Sequence, residues 1–203
     1  MEALKEWAVV CRALEQGRQT VLLRKGGILE YRQGFEVKHD RFLMFPTFEH
    51  QSKDHLQPDY AAELDKVMMM EGDQKQQQPA VAGTVTPMTT TSTVRLTSYA
   101  EAKEVREVTN RSVLKGLEKF HIWNETYVNA RMDYNPAKPM SVILLRVFRL
   151  QEPIEVQALP EWSGCRSWVP LNASDSPAAE PAMSDSEFDR VASQVREVLS
   201  IEV

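Results

Sequence analysis

The chain has 203 residues, enough for one substantial domain or two very small ones. A composition of 42% hydrophobic and 26% charged residues is that of an ordinary globular protein and excludes a wholly disordered or fibrous chain. The formal net charge of −5 gives no bulk attraction to nucleic acid or anionic lipid, so any basic site has to be local, and the two cysteines, Cys11 and Cys165, exclude a four-cysteine zinc site within one chain.

The charge is unevenly spread. Residues 1–55 carry nine Lys or Arg against eight Asp or Glu, and residues 94–170 carry eleven against nine. The acidity lies in residues 56–93, with two against five, and in residues 171–203, with two against seven. The start, MEALKEWAVVCRALEQGRQ, places Glu2, Lys5 and Glu6 around a short apolar stretch that Arg12 ends, unlike a secretory signal. The apolar run Val142 to Leu145 is far short of the roughly 20 residues that cross a bilayer as a helix. A cytoplasmic location is the expectation.

In chain order, WAVVCRAL and TVLLRK are apolar segments separated by EQGRQ, where Gly17 supplies a turn; they read as a hairpin. Residues 2–14 also fit an amphipathic helix through Leu4, Trp7, Val10, Cys11 and Leu14, and the sequence leaves both readings open. KGGILEYRQGFEVKH adds a glycine turn and a short strand, and RFLMFPTFEHQ is apolar up to Pro46. PDYAAELDKVMMM predicts a short helix with Pro58 near its start. Residues 71–93, rich in Gln, Thr and Pro, read as a flexible, low-complexity insertion.

SYAEAKEVREVTNRSVLKGLEKF predicts a helix, since Ala100, Val105, Val108, Val113 and Leu117 supply an apolar stripe among good helix formers. HIWNETYVNARMDY predicts another, closed by NPAKP, and MSVILLRVFRL is the clearest strand. QEPIEVQALPEWSGCRSWVPL predicts a bend and an edge strand, and residues 171–184 a linker. Residues 185–203 repeat Phe188, Val191, Val195, Val198 and Leu199 at helical spacing, with Ser184 or Asp185 as the cap. The expected architecture is α+β: a single domain over residues 1–170 with a small mixed or antiparallel sheet, packed helices and a docked C-terminal helix.

Three separated blocks, LKEWAVVCRALEQGRQTVLLRKGGI, FLMFPTFEHQ and HIWNETYVNARMDYNPAKPMSVILLRVFRL, together resemble the family catalogued as domain of unknown function 1802, known mainly from cyanobacteria. The resemblance spans residues 4–170 apart from the insertion. It implies one coherent domain and brings with it no reaction, cofactor or residue role.

Candidate chemistry comes from six places. LLRKGGI sets Arg24 and Lys25 before Gly26 and Gly27, a cationic turn suited to an anion, although no P-loop or dinucleotide fingerprint is present. FEVKH has Glu36 and Lys38 at the E-x-K spacing of some metal-dependent nucleases, which need a further acid such as Glu30 or Glu49, and FPTFEHQ places Glu49 beside His50 as metal ligand and proton relay. His39, His50 and His55 match no zinc spacing. Trp123, Tyr127 and Tyr134 offer stacking surfaces, with Arg131, Arg146 and Arg149 for phosphate. Trp162 and Trp168 bracket GCRS as partner contacts.

The leading expectation is a cytosolic binding or regulatory module for a protein partner or an anionic ligand, with nucleic acid among the candidates and no cofactor. The alternative is a nuclease centred on Glu36-x-Lys38, with Glu36 and Glu49 holding Mg²⁺.

Overall fold

The computed structural model describes residues 1–25, 35–76, 93–164, 166–171, 173 and 177–200, with the backbone alone for residues 70–76. Gly26, Gly27, Glu30, Cys165 and most of the expected insertion therefore lie outside the described residues.

The described chain runs β1 (Ala3–Trp7), α1 (Ala8–Glu15), β2 (Val21–Arg24), β3 (Arg41–Thr47), α2 (Pro58–Gln76), β4 (Thr93–Val108), α3 (Arg111–Gly116), α4 (Glu125–Tyr134), β5 (Met140–Gln157), β6 (Trp168–Val169), β7 (Ala179–Pro181) and α5 (Asp185–Leu199). Among the described residues the strands form one seven-stranded mixed sheet in the order β2-β5-β4-β3-β1-β6, with β7 pairing β5 beyond β2. β1 lies parallel to β3, with Ala3 opposite Leu43 and Trp7 opposite Thr47, and the other pairings are antiparallel. This is the expected α+β class, with a mixed sheet, packed helices and a C-terminal helix. No helix among the described residues is long and apolar enough to cross a membrane.

Strand alternation sorts the apolar side chains onto two faces. Leu4, Phe42, Met44, Ala100 and Ile143 join the larger core under the helices, while their neighbours Ala3, Leu43, Phe45 and Tyr99 build a smaller core with Trp162 and Val169.

Several local expectations change: the expected linker over residues 171–184 contains strand β7, and Phe35–His39 is not a strand. Residues 2–14 are neither hairpin nor continuous helix: the chain is extended through Trp7 and helical from Ala8, because Lys5 and Glu6 fill sheet positions beside β3 while Ala8, Val9, Val10 and Cys11 are buried by the first turns of α1. Of the helix predicted over residues 98–120, only Arg111–Gly116 is α-helix, α3, and the part up to Val108 is strand β4. Its helix formers are overruled by pairing to β3 on one side and β5 on the other, and Glu101–Lys103 and Glu104–Arg106 make ion pairs at a two-residue spacing that lies on one face of a strand. α2 continues to Gln76, past the end of the apolar run at Met70.

Other local readings agree with the structure. Gly17 takes φ of +68°, the left-handed conformation that closes the turn after α1. Ser184 is the N-cap of α5 in a reciprocal capping box with Glu187.

The basic and aromatic cluster beneath helix α4

α4 is positioned by its cap. Asn124 Oδ1 accepts from Tyr127 N at 3.0 Å, and Asn124 Nδ2 donates to the carbonyls of Asp54 (2.8 Å) and Leu56 (3.1 Å). Gln57 Nε2 strengthens the same junction by donating to the carbonyls of Glu118, His121 and Trp123. These bonds bring the 3-10 turn Lys53–His55 against the first turn of α4, so that His55 and Tyr127 meet with ring centroids 5.5 Å apart. Trp123 stacks on Tyr127 at 4.0 Å and an interplanar angle of 14°, and Trp7 meets Trp123 edge-on at 4.9 Å. Trp123 is buried, while Trp7, His55 and Tyr127 are half-buried, so the ring cluster reaches the surface.

Charged groups adjoin it. Tyr127 and Arg131 lie four residues apart, on one face of α4. Lys25 follows β2 and is only 2% exposed, its Nζ donating at 2.6 Å to the carbonyl of Met132 in the last turn of α4, where the helix dipole favours a cation. Burial, and then the like charges of Arg111 and Arg131, hold the Lys25 ammonium below the usual lysine range, and Asp133 opposes them. Arg24 is half-buried and pairs with the buried Glu6 at 2.9 Å, donates to Ser167 Oγ at 2.9 Å and lies 5.0 Å over the Phe35 ring. Burial pushes the Tyr127 hydroxyl up to about 12; Arg131 and Arg24 pull the other way, and Glu6 adds to the rise. Tyr127 thus belongs both to the ring cluster and to the field of the charged groups.

Of the residues singled out in the sequence, Arg24, Lys25, Arg131, Trp123 and Tyr127 converge here. Tyr134 stands at the rim, 39% exposed, under the Arg131 guanidinium. Arg146 and Arg149 lie elsewhere. Arg146 is buried, pairs with Asp185 and the carbonyl of Ser184 and covers the Phe188 ring at 4.8 Å, fastening α5 to the sheet. Arg149 is exposed on β5 opposite Ser98.

Trp162 is in the smaller core and Trp168 in the larger one, at 8% and 6% exposure. Trp168 Nε1 donates to the carbonyl of Glu36 at 3.1 Å, fixing the main chain there while the side chains of Glu36 and Lys38 stay exposed. Glu49 and His50 are also exposed, and His39 faces Glu2 at 3.1 Å. Among the described residues no group of three or more His, Cys, Asp or Glu side chains stands where it would hold a metal ion.

Sequence reasoning missed Glu6, Trp7 and Arg111. The signal for Glu6 lay in LKEW as a short strand: alternation sends Lys5 to one face, where its Nζ donates to the carbonyls of Trp162 (2.7 Å) and Gly164 (3.1 Å), and Glu6 to the other, toward Arg24.

Fold and site together define a mixed-sheet α+β domain with a basic and aromatic cluster beneath one helix. The family model described as "Domain of unknown function (DUF1802)" matches residues 3–194, and the chain belongs to that family. No match was found among curated proteins. Two crystal structures of ASCH from Zymomonas mobilis, one of them a mutant protein, are similar at 11% identity. The likeness covers 95% of this chain and 94% and 93% of theirs, with TM-scores of 0.42 and 0.41. At those values it assigns neither fold nor chemistry to this chain.

Proposed function

We propose that the protein is a cytoplasmic binding module that takes an anionic ligand at the cluster formed by Arg24, Lys25 and Arg131. The observation that carries this reading is the position of Lys25. A lysine almost fully removed from water feels two guanidiniums against one carboxylate, and an arriving anion would relieve that repulsion. Arg24 contributes geometry more than net charge, since Glu6 neutralises it and holds its planar group over Phe35. The buried settings of Trp162 and Trp168 favour ligand capture over protein capture by those rings. The exposed side chains of Glu36, Lys38, Glu49 and His50 likewise make a nuclease centre the weaker reading.

The test is calorimetric titration with inorganic phosphate and pyrophosphate at low and moderate salt, using wild type, Lys25→Met and Arg131→Gln after folding is checked by circular dichroism. Binding by wild type is expected to weaken as salt rises and to drop at least tenfold in Arg131→Gln. Absence of binding at low salt, or equal binding by all three proteins, would refute the assignment.

A further inference from the structure

Two polar atoms in the ring cluster have no hydrogen-bond partner among the described residues although both are buried: His55 Nδ1 and Trp123 Nε1. An unpaired buried donor or acceptor costs free energy that folding alone does not return, so such atoms call for a partner. Thr20, His121 and Trp162 also carry unpaired buried atoms, but none of the three is among the ring contacts of Trp7, His55, Trp123 and Tyr127. His55 and Trp123 share one cluster, and it adjoins the cationic groups through Tyr127.

The chemistry of these atoms restricts the ligand. An indole N–H only donates, so the partner of Trp123 must be an acceptor; an imidazole nitrogen donates or accepts according to tautomer. The surrounding groups are aromatic rings, which favour a flat π-system over an aliphatic chain. One turn further along α4, Arg131 and the Lys25 contact at Met132 supply positive charge.

We infer that the ligand is a nucleotide: its heterocyclic base is taken up at Trp7, His55, Trp123 and Tyr127, a ring nitrogen or carbonyl of the base accepts from Trp123 Nε1, and its phosphate is held by Lys25 and Arg131. This rests on the anion-binding reading and adds to it the chemical class of the ligand and the residues that recognise its uncharged part. Free nucleotides and nucleotides within a single strand share this chemistry.

Calorimetry with inorganic phosphate, ribose 5-phosphate, adenosine and uridine 5′-monophosphates and a six-nucleotide single strand separates the contributions. The monophosphates are expected to bind at least tenfold more tightly than ribose 5-phosphate. Trp123→Phe and His55→Phe keep a ring while removing the polar atoms, and each is expected to weaken the monophosphates about tenfold without changing ribose 5-phosphate. Ribose 5-phosphate binding as tightly as the monophosphates would overturn the nucleotide assignment and leave anion binding standing, whereas no binding by any of these anions would remove both. Tighter binding of the strand than of either monophosphate would identify a nucleic-acid source, and the reverse a free nucleotide.

Discussion

His121 is 3% exposed, and its main-chain carbonyl accepts from Gln57 Nε2. Burial holds its imidazole down at about 4, with the Trp123 main chain opposing, against 6.5 for an ordinary histidine. As pH falls below 6.5 the unfolded chain takes up a proton that the folded chain refuses until about 4, so stability present at neutral pH is lost across that window. At about 1.4 kcal/mol per pKa unit, the loss attributable to this one residue approaches roughly 3 kcal/mol. Urea unfolding of wild type and His121→Leu between pH 7.5 and 4.5 checks it. The variant should lose less stability over the range, and parallel pH profiles would show that His121 is not the group responsible.

Helix α5 packs Phe188, Ala192 and Val195 against the domain, and its far end meets α3 at Gly116. A Cβ at Gly116 would stand 2.8 Å from Val198 Cγ1, and valine has little rotamer freedom within a helix to retreat. Gly116→Ala, which raises helix propensity, should therefore destabilise by about 1 kcal/mol, and Val198→Ala introduced alongside should recover most of the loss. Additive effects of the two substitutions in thermal melts would show that the contact is not limiting. At the other end, Arg146 is buried against Phe188 while Asp185 is exposed, so the two halves of their ion pair are unequal. Arg146→Ala should release α5, read as lost helical circular dichroism and a lower Tm, whereas Asp185→Asn should change little. Equal effects from both would contradict the view that Arg146 acts mainly by packing and by its bond to the Ser184 carbonyl.

Which elements could be read in the sequence follows from how local their causes are. α5 announces itself because its apolar stripe and the Ser184–Glu187 cap lie within one short segment, and β5 because its first half is apolar on both faces. β4 hides, since Ala100 to Glu104 favour a helix and only the partners β3 and β5, distant in sequence, enforce the strand. Its alternating charges, Glu101 with Lys103 and Glu104 with Arg106, were the available local signal. The cluster beneath α4 divides in the same way. The residue types of Arg24, Lys25, Tyr127 and Arg131 were legible, but the bond from Lys25 to Met132 joins positions 107 apart. The role of Glu6 depends on a strand that begins inside what resembles an amphipathic helix.

The sheet separates two apolar cores, yet β1 contributes Ala3 to one and Leu4 to the other, and β3 contributes Leu43 and Phe42. Strands shared in this way make the cores one cooperative unit, because neither can lose its order while the other keeps the same backbone pairings. Leu4→Ala and Leu43→Ala, both at positions with 0% exposure, should each cost about 2–5 kcal/mol. Each should shift one common unfolding transition. Trp162 reports the smaller core and Trp123 and Trp168 the larger, so single-tryptophan variants followed by fluorescence check the coincidence. Two separate midpoints would show that the cores melt independently.

β1 sits between β3 and β6, and the carbonyls that receive the Lys5 ammonium belong to Trp162 and Gly164. A ribosome delivers these partners in a fixed order. At roughly 5–20 residues per second, about 8–30 seconds separate the emergence of β1 from that of β6. During that interval the flank of β1 destined for β6 has no native neighbour, and Lys5 has not yet reached its carbonyl acceptors. A charged side chain on an unfinished sheet edge discourages pairing with another nascent chain, so the lysine that later bridges the two ends of the domain also guards the newborn strand while it waits.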